Sequence, residues 1–279
     1  MEASSEPAAP WWNTYAIEVQ HGARWQIGPS TLWLFHSPNE WRLRHRQSDN
    51  SMEDRSAARV GIPADAWASV VDADAADEDV VRFSFRHTDA HVALRPALAD
   101  RPVVTRPEHA IHIPSGEEVT LYVSTPLWIR VELGRGARAV HEIPSHRPSD
   151  TWFGPSTREG ELCYAVRTTG RLRLEDLPLR PHRAVTPLLI RNRASDALLL
   201  ERVQIPTQHL ALYESPDHGL WTQAITLHRE AGREGADVRI EPGPPRKIPT
   251  IAQIAEPRQV PKTNMVMSTF KALGALFSP

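Results

Sequence analysis

Cysteine occurs once in the 279 residues, at Cys163, which excludes an internal disulfide framework and a zinc site built on cysteines. Lysine is almost as scarce. Lys247, Lys262 and Lys271 are the only ones, so the basic residues are nearly all arginine. With abundant alanine and proline this fits GC-rich coding and carries no functional signal. Charge of either sign is not in excess. The formal net charge is −2 with 24% charged residues, so no whole-chain field would draw the protein to nucleic acid or an anionic bilayer, and no nucleic-acid partner is expected. No window approaches the roughly 20 apolar residues of a spanning helix, so no direct membrane span is expected. The leading stretch MEASSEPAAPWW is acidic where a signal peptide is basic and lacks an apolar segment. The expectation is a cytoplasmic protein.

Several catalytic signatures are missing too. There is no Gly-x-Ser-x-Gly elbow, no helical His-Glu-x-x-His pair, and no lysine of a phosphate loop between Gly154 and Gly160.

What the chain does hold is strand alternation punctuated by turns. A chain of this length is too long for one sandwich of roughly 100 residues and suits two. The clearest stretch is Ser149 to Leu174. A Trp152-Phe153-Gly154-Pro155 corner leads into Glu161 to Thr168, where Leu162, Tyr164 and Val166 alternate with Cys163, Ala165 and Arg167. Thr169-Gly170 is read as a hairpin turn, with Leu172 and Leu174 beyond it, and both corner aromatics are expected to be buried. Earlier, Thr31 to His36 and Trp41 to Arg46 flank a Ser37-Pro38-Asn39-Glu40 turn. Pairing across it puts Leu32, Leu34, His36, Trp41, Leu43 and His45 on one face and Trp33, Phe35, Arg42, Arg44 and Arg46 on the other.

These signals predict a disordered lead over 1–10 and an N-terminal β-sandwich over 11–177 with a long loop at 47–79 that ends in an acidic run. An immunoglobulin-like β-sandwich over 184–241 follows, then a Pro-rich linker over 242–262. A helix is predicted within 263–279, apolar along Val266, Phe270, Leu273 and Phe277, which would serve as a protein-docking element.

The candidate metal ligands are His87, Asp89 and His91, because alternate strand residues share a face. Thirteen histidines among many arginines also produce such triples by chance. Cys163 with His141, His146 or His182 as base is a weaker nucleophile candidate, since no helix amino terminus lowers the thiol's pKa and a packed thiol explains it. Glu159 and Glu161, two apart near Asp150 and Trp152, are a glycosidase-like pair that solvated strand ends also explain. The Arg42, Arg44, Arg46 stripe with Trp33 and Phe35 resembles a single-strand stacking platform, but arginine stems covering cross-strand aromatics account for it more simply.

The residues Ser149-Asp150-Thr151-Trp152-Phe153-Gly154-Pro155, Gly160-Glu161-Leu162-Cys163-Tyr164, Arg180-Pro181-His182-Arg183-Ala184-Val185-Thr186-Pro187 and Ile190-Arg191-Asn192 are similar to those of an uncharacterised prokaryotic family with only a domain-of-unknown-function label. The resemblance covers most of the chain after residue 100 and brings no catalytic residues. It implies an all-β protein and, through genes beside those of mechanosensitive channels, an accessory partner of a membrane protein.

The sequence therefore reads as all-β, two antiparallel β-sandwich domains with a linker and a short C-terminal helix. It reads as a non-catalytic interaction or accessory subunit without a cofactor, whose partner is a protein, either a membrane channel or a second copy of the chain. The alternatives are a carbohydrate-active or metal-dependent hydrolase, or a ligand-binding module.

Overall fold

The computed structural model describes residues 10–50, 53–70, 80–146, 148–154, 156, 158–231, 236–246, 248–249, 252–260 and 265–267. In chain order the first strands are β1 Thr14–Ala16, β2 His21–Ile27, β3 Ser30–His36, β4 Glu40–Gln47 and β5 Ser56–Pro63. One helix, α1 Ala64–Val70, precedes β6 Val80–Ser84, β7 His91–Ala97, β8 Val103–Pro107, β9 Ile111–Ile113, β10 Glu118–Pro126, β11 Trp128–Leu133 and β12 Arg138–Pro144. Then come β13 Ser149–Phe153, β14 Glu161–Gly170, β15 Arg183–Asn192, β16 Leu198–Leu200, β17 Val203–Ile205 and β18 Leu212–Glu214. The last are β19 Leu220–Thr222, β20 Ile225–Arg229, β21 Ala236–Ile240, β22 Ala252–Ala255 and β23 Met265–Met267. The chain is all-β.

Two compact units form, and neither is contiguous in sequence. One holds Met1–Ala97, Leu127–Arg147 and Arg180–His182; the other holds Leu98–Pro126, Pro148–Leu179 and Arg183–Pro279. A single boundary near 177–184 was the sequence expectation. Proline breaks mark where a chain turns but carry no sign of which later strands it pairs with, so the interleaving left no local trace.

The first unit contains a five-stranded sheet ordered β5-β2-β3-β4-β6 and a four-stranded sheet ordered β1-β7-β11-β12. Both feed one core. Trp25, Leu32, Leu34, Trp41 and Leu43 from the first sheet and Val92, Leu94, Ile129 and Val131 from the second are all at most 1% exposed. The β3–β4 register pairs Leu32 with His45, Leu34 with Leu43 and His36 with Trp41, the pairing that the alternation predicts. At the β2–β3 turn Gly28 has φ +54°, and a Cβ there would strike the His182 ring, so glycine is required twice over. The predicted loop at 47–79 instead contains β5 and α1. Its strand is an edge whose residues are nearly all exposed, so it carries no alternation to read; its acidic end, 72–79, lies outside the described residues.

In the second unit β15 is the centre of an eight-stranded sheet ordered β22-β18-β19-β15-β20-β21-β23, with β10 also paired to β15. The expectation of purely antiparallel sheets is corrected here. β15 runs parallel to β19 and β20, and β14 runs parallel to β8, each after a connection long enough for the crossover that parallel pairing needs. The predicted hairpin after Thr169-Gly170 does not form either. β14 runs through Gly170 and pairs with β13 and β8; Leu172 is 53% exposed.

Within the predicted linker, β22 pairs with β18. In place of the start of the predicted C-terminal helix, Met265–Met267 is a strand with Val266 opposite Asp237 on β21. Phe270, Leu273, Phe277 and residues 1–9 of the predicted lead lie outside the described residues.

Candidate binding cleft

The strands β10, β15 and β20 lie side by side, and their alternation divides the residues between two faces. Leu121, Val123, Leu188, Ile190, Ile225 and Leu227 point into the core, each at most 1% exposed. On the opposite face the register sets Glu118 beside Arg191, Thr120 beside Leu189 and Tyr122 beside Pro187, and continues from Leu189 to Thr226 on β20. That face is the floor of a cleft of about 410 Å³, within the range of small-ligand sites.

The wall is the Pro-rich segment after β21, which contributes Glu241, Pro242, Pro244, Pro245, Arg246 and Ile248. Its start is anchored three ways. The Glu241 backbone N–H donates to Ala224 O at 2.9 Å, Gln223 Nε2 donates to Glu241 O at 3.0 Å, and Thr226 Oγ1 donates to the Glu241 carboxylate at 3.2 Å. Gly243 with φ +75° turns the chain, and Ile248 N bonds Pro245 O at 3.0 Å to close the segment. Ile248 and Tyr122 pack on the apolar cluster of Leu177, Val185 and Trp221. The wall is stiff because proline fixes φ, and its prolines bring no N–H donors.

Chemically the cleft has a polar end and an apolar end. Arg191 Nε donates to Glu118 Oε2 at 2.8 Å, Arg239 Nε lies 3.6 Å from Glu241 Oε1, and the far end is Tyr122, Pro187, Leu189 and Ile248. Among the described residues the lining has hydroxyls and two carboxylates engaged with cations or a hydroxyl, and neither an imidazole nor a thiol.

The residues singled out in the sequence are spread through the molecule. His87 and Asp89 lie in the connection after β6, and only His91 is on a strand, so the three share no strand face. Asp89 Oδ1 accepts from His91 N at 2.8 Å and sits 2.5 Å from His91 Nδ1, while Arg135 Nε is 3.7 Å from Asp89 Oδ2. The His91 hydrogen bonds hold the Asp89 carboxyl below its usual range. Among the described residues no group of three or more His, Cys, Asp or Glu is placed to hold a metal ion.

Cys163 is fully buried, receives Gln204 Nε2 at 3.4 Å, and is pushed up to about 12 by burial and by the Glu161 charge. It stays a thiol. Glu161 accepts from Gln204 Nε2, whereas Glu159 is exposed in the preceding turn, its N–H donating to Ser156 Oγ at 3.0 Å. The corner is half as expected. Phe153 is 4% exposed and packs with Val104 and Cys163, but Trp152 is 46% exposed, with Nε1 donating to Ser156 O at 2.9 Å. Adjacent strand residues face opposite ways, so one face cannot bury both. Gly154 follows the strand, and Pro155 lies outside the described residues.

The cleft residues Glu118, Tyr122, Leu189, Arg191, Thr226 and Glu241 did not stand out in the sequence. A signal was there: the faces opposite Leu121-Val123 and Leu188-Ile190 carry Tyr122, Pro187 and Leu189, apolar where a purely solvated face is polar.

A family model described as "Protein of unknown function (DUF432)" matches residues 11–274. No curated protein and no solved structure matches the chain.

Proposed function

We propose that this chain, which belongs to the DUF432 family, is a non-catalytic binding protein whose cleft receives an extended peptide segment of a partner protein. The observation that carries the reading is the shape and chemistry of the cleft, a three-strand floor walled by a proline-rich segment, polar at the Glu118–Arg191 end and apolar at the Tyr122–Ile248 end. A strand-like peptide presents alternate side chains to one face at the spacing of the floor residues, so two or three of them can meet the polar and apolar ends in turn. A role as an accessory subunit follows from this reading, because a protein that recognises a segment acts through whatever carries it. The terminal segments of a membrane channel and of the chain itself are the first partners to try.

The test is selection of a random peptide library on the full chain, with affinities measured by fluorescence anisotropy. Thr120→Trp, which fills the cleft from a half-buried floor position, is expected to weaken selected peptides at least tenfold while the melting temperature holds. Peptides that bind this variant as tightly as the parent would place recognition elsewhere. A hydrolase reading has no comparable support, since neither the buried Cys163 nor His87, Asp89, His91, Glu159 or Glu161 is among the residues that line the cleft.

A further inference from the structure

The cleft of the second unit offers more hydrogen-bond donors than acceptors, and the surplus sits on cations. Its two lining carboxylates already face guanidinium groups. Glu118 Oε2 accepts from Arg191 Nε at 2.8 Å, and Glu241 Oε1 accepts from Thr226 Oγ1 at 3.2 Å with Arg239 Nε 3.6 Å away. Arg191 engages Glu118 through Nε alone, so among the described residues its two terminal nitrogens have no hydrogen-bond partner. Arg246, on the wall, is exposed, and among the described residues no carboxylate pairs with it. The backbone adds little to this inventory. β15 is paired on both sides, to β10 and to β20, and Pro242, Pro244 and Pro245 of the wall have no N–H. A ligand anion therefore meets side-chain cations here, whereas a ligand cation would have to share a carboxylate that already faces a guanidinium.

Arg246 is held for this role by its neighbours in the chain. Ile248 N donates to Pro245 O at 3.0 Å, closing a turn in which Arg246 follows the first residue. Pro245 is buried, and Ile248 packs with Tyr122 on the cluster of Leu177, Val185 and Trp221. The backbone at Arg246 is thus tied down on both sides before a ligand arrives, and only the side chain remains to be ordered. A guanidinium presents its N–H groups in a planar fork that matches the two oxygens of a carboxylate.

We propose that the peptide received by the cleft carries a carboxylate, and that Arg246 is the residue that binds it. The inference rests on the peptide reading of the cleft and adds the ligand's charge to it. Among peptides of similar apolar content the acidic residue decides, because a lysine in its place is repelled and a glutamine offers one acceptor oxygen to a two-pronged donor. The chain's own residues 263–279 contain no aspartate or glutamate, which makes that stretch of a second copy a poor occupant.

The experiment starts from random peptides of about 12 residues, selected on the full chain and counter-selected on Thr120→Trp, then synthesised with a fluorescein label and an amidated C-terminus. Aspartate or glutamate is expected in most of them. For one such peptide at low salt, changing its acidic residue to glutamine should weaken binding about fivefold, and Arg246→Gln should do the same. The two changes together should cost little more than either alone, since they remove one contact. Arg246→Lys should recover part of the loss. Arg246→Glu should turn the preference towards the lysine counterpart of the peptide, a reversal that lost packing cannot give. Arg246 is exposed, so all three variants should keep the parent melting temperature. An amidated peptide of residues 263–279 should bind more weakly than the acidic ones. Binding confined to free-acid forms, with the same response to Arg246→Gln, would identify the carboxylate as a chain terminus. Peptides that Thr120→Trp blocks but that lack a carboxylate, or whose affinity Arg246→Gln leaves unchanged, would overturn the proposal and leave the cleft reading in place. Peptides that bind the parent and Thr120→Trp alike, or no selected peptide at all, would remove both.

Discussion

Trp152 and Phe153 are neighbours in sequence with opposite exposure, and truncating each in turn tests the placement of the whole β13–β14 ladder. In that ladder Trp152 pairs with Leu162 and Phe153 with Glu161, so the two aromatics project from opposite faces. Phe153, 4% exposed against Val104 and Cys163, leaves a cavity when cut to alanine. Aromatic truncations in packed interiors cost about 3–5 kcal/mol, and a cluster this small places Phe153→Ala near 3. Trp152 is 46% exposed, and what it loses is a half-covered ring and one solvent-exposed hydrogen bond to Ser156 O. That totals about 1 kcal/mol. Urea titration followed by far-ultraviolet circular dichroism reads the difference, since nine tryptophans make fluorescence ambiguous. With a slope near 2 kcal/mol per molar, the transition of the second unit should move by about 1.5 M for Phe153→Ala and about 0.5 M for Trp152→Ala. Equal shifts, or a larger one for Trp152→Ala, would mean that the strand is registered one residue away and that the cysteine face is not the buried one.

Cys163 should resist iodoacetamide in the native protein at pH 8, because a thiol titrating at about 12 is ionised only about one part in 10,000 there; mass spectrometry before and after urea checks this, and rapid native labelling would refute the burial. His45 is drawn down to about 4 by burial and, less, by the His141 charge, while the unfolded residue titrates near 6.5. The unfolded chain therefore takes up the proton first, so stability is complete above about pH 6.5 and falls as pH drops from there towards 4, by about 2–3 kcal/mol at most. His45→Gln should remove that part of the slope in melting temperature between pH 6.5 and 5.5, above the range near 4 in which the unfolded chain's carboxyls take up protons and the lowered Glu40 and Asp89 begin to lose their contribution. An unchanged slope would refute it.

The β3–β4 hairpin was legible because its two faces differ in kind: one is wholly core and the other carries Trp33 and Phe35 under arginine stems, so a slip of one residue would exchange them and only one register satisfies both. The same rule misled at β14. Leu162, Tyr164 and Val166 are the more apolar set, yet Leu162 is 45% exposed and Cys163 is fully buried, because apolar residues on both faces leave the choice to the partner strands. Edge strands were illegible for the complementary reason. β5 is exposed along nearly its whole length and β22 is four residues without a buried one, so neither shows a periodic face, and what places each is backbone pairing to β2 and to β18. The cleft falls under this heading as well. Glu118 and Arg191 are 73 residues apart and meet only because β10 pairs with β15. Arg24 and Arg59 meet across a pairing whose second strand had no signal at all. Local alternation states which side of a strand is wet; which wet sides come together, and hence where charge or apolar surface accumulates, is decided by sheet order, and sheet order is set by long-range pairing that no short window contains.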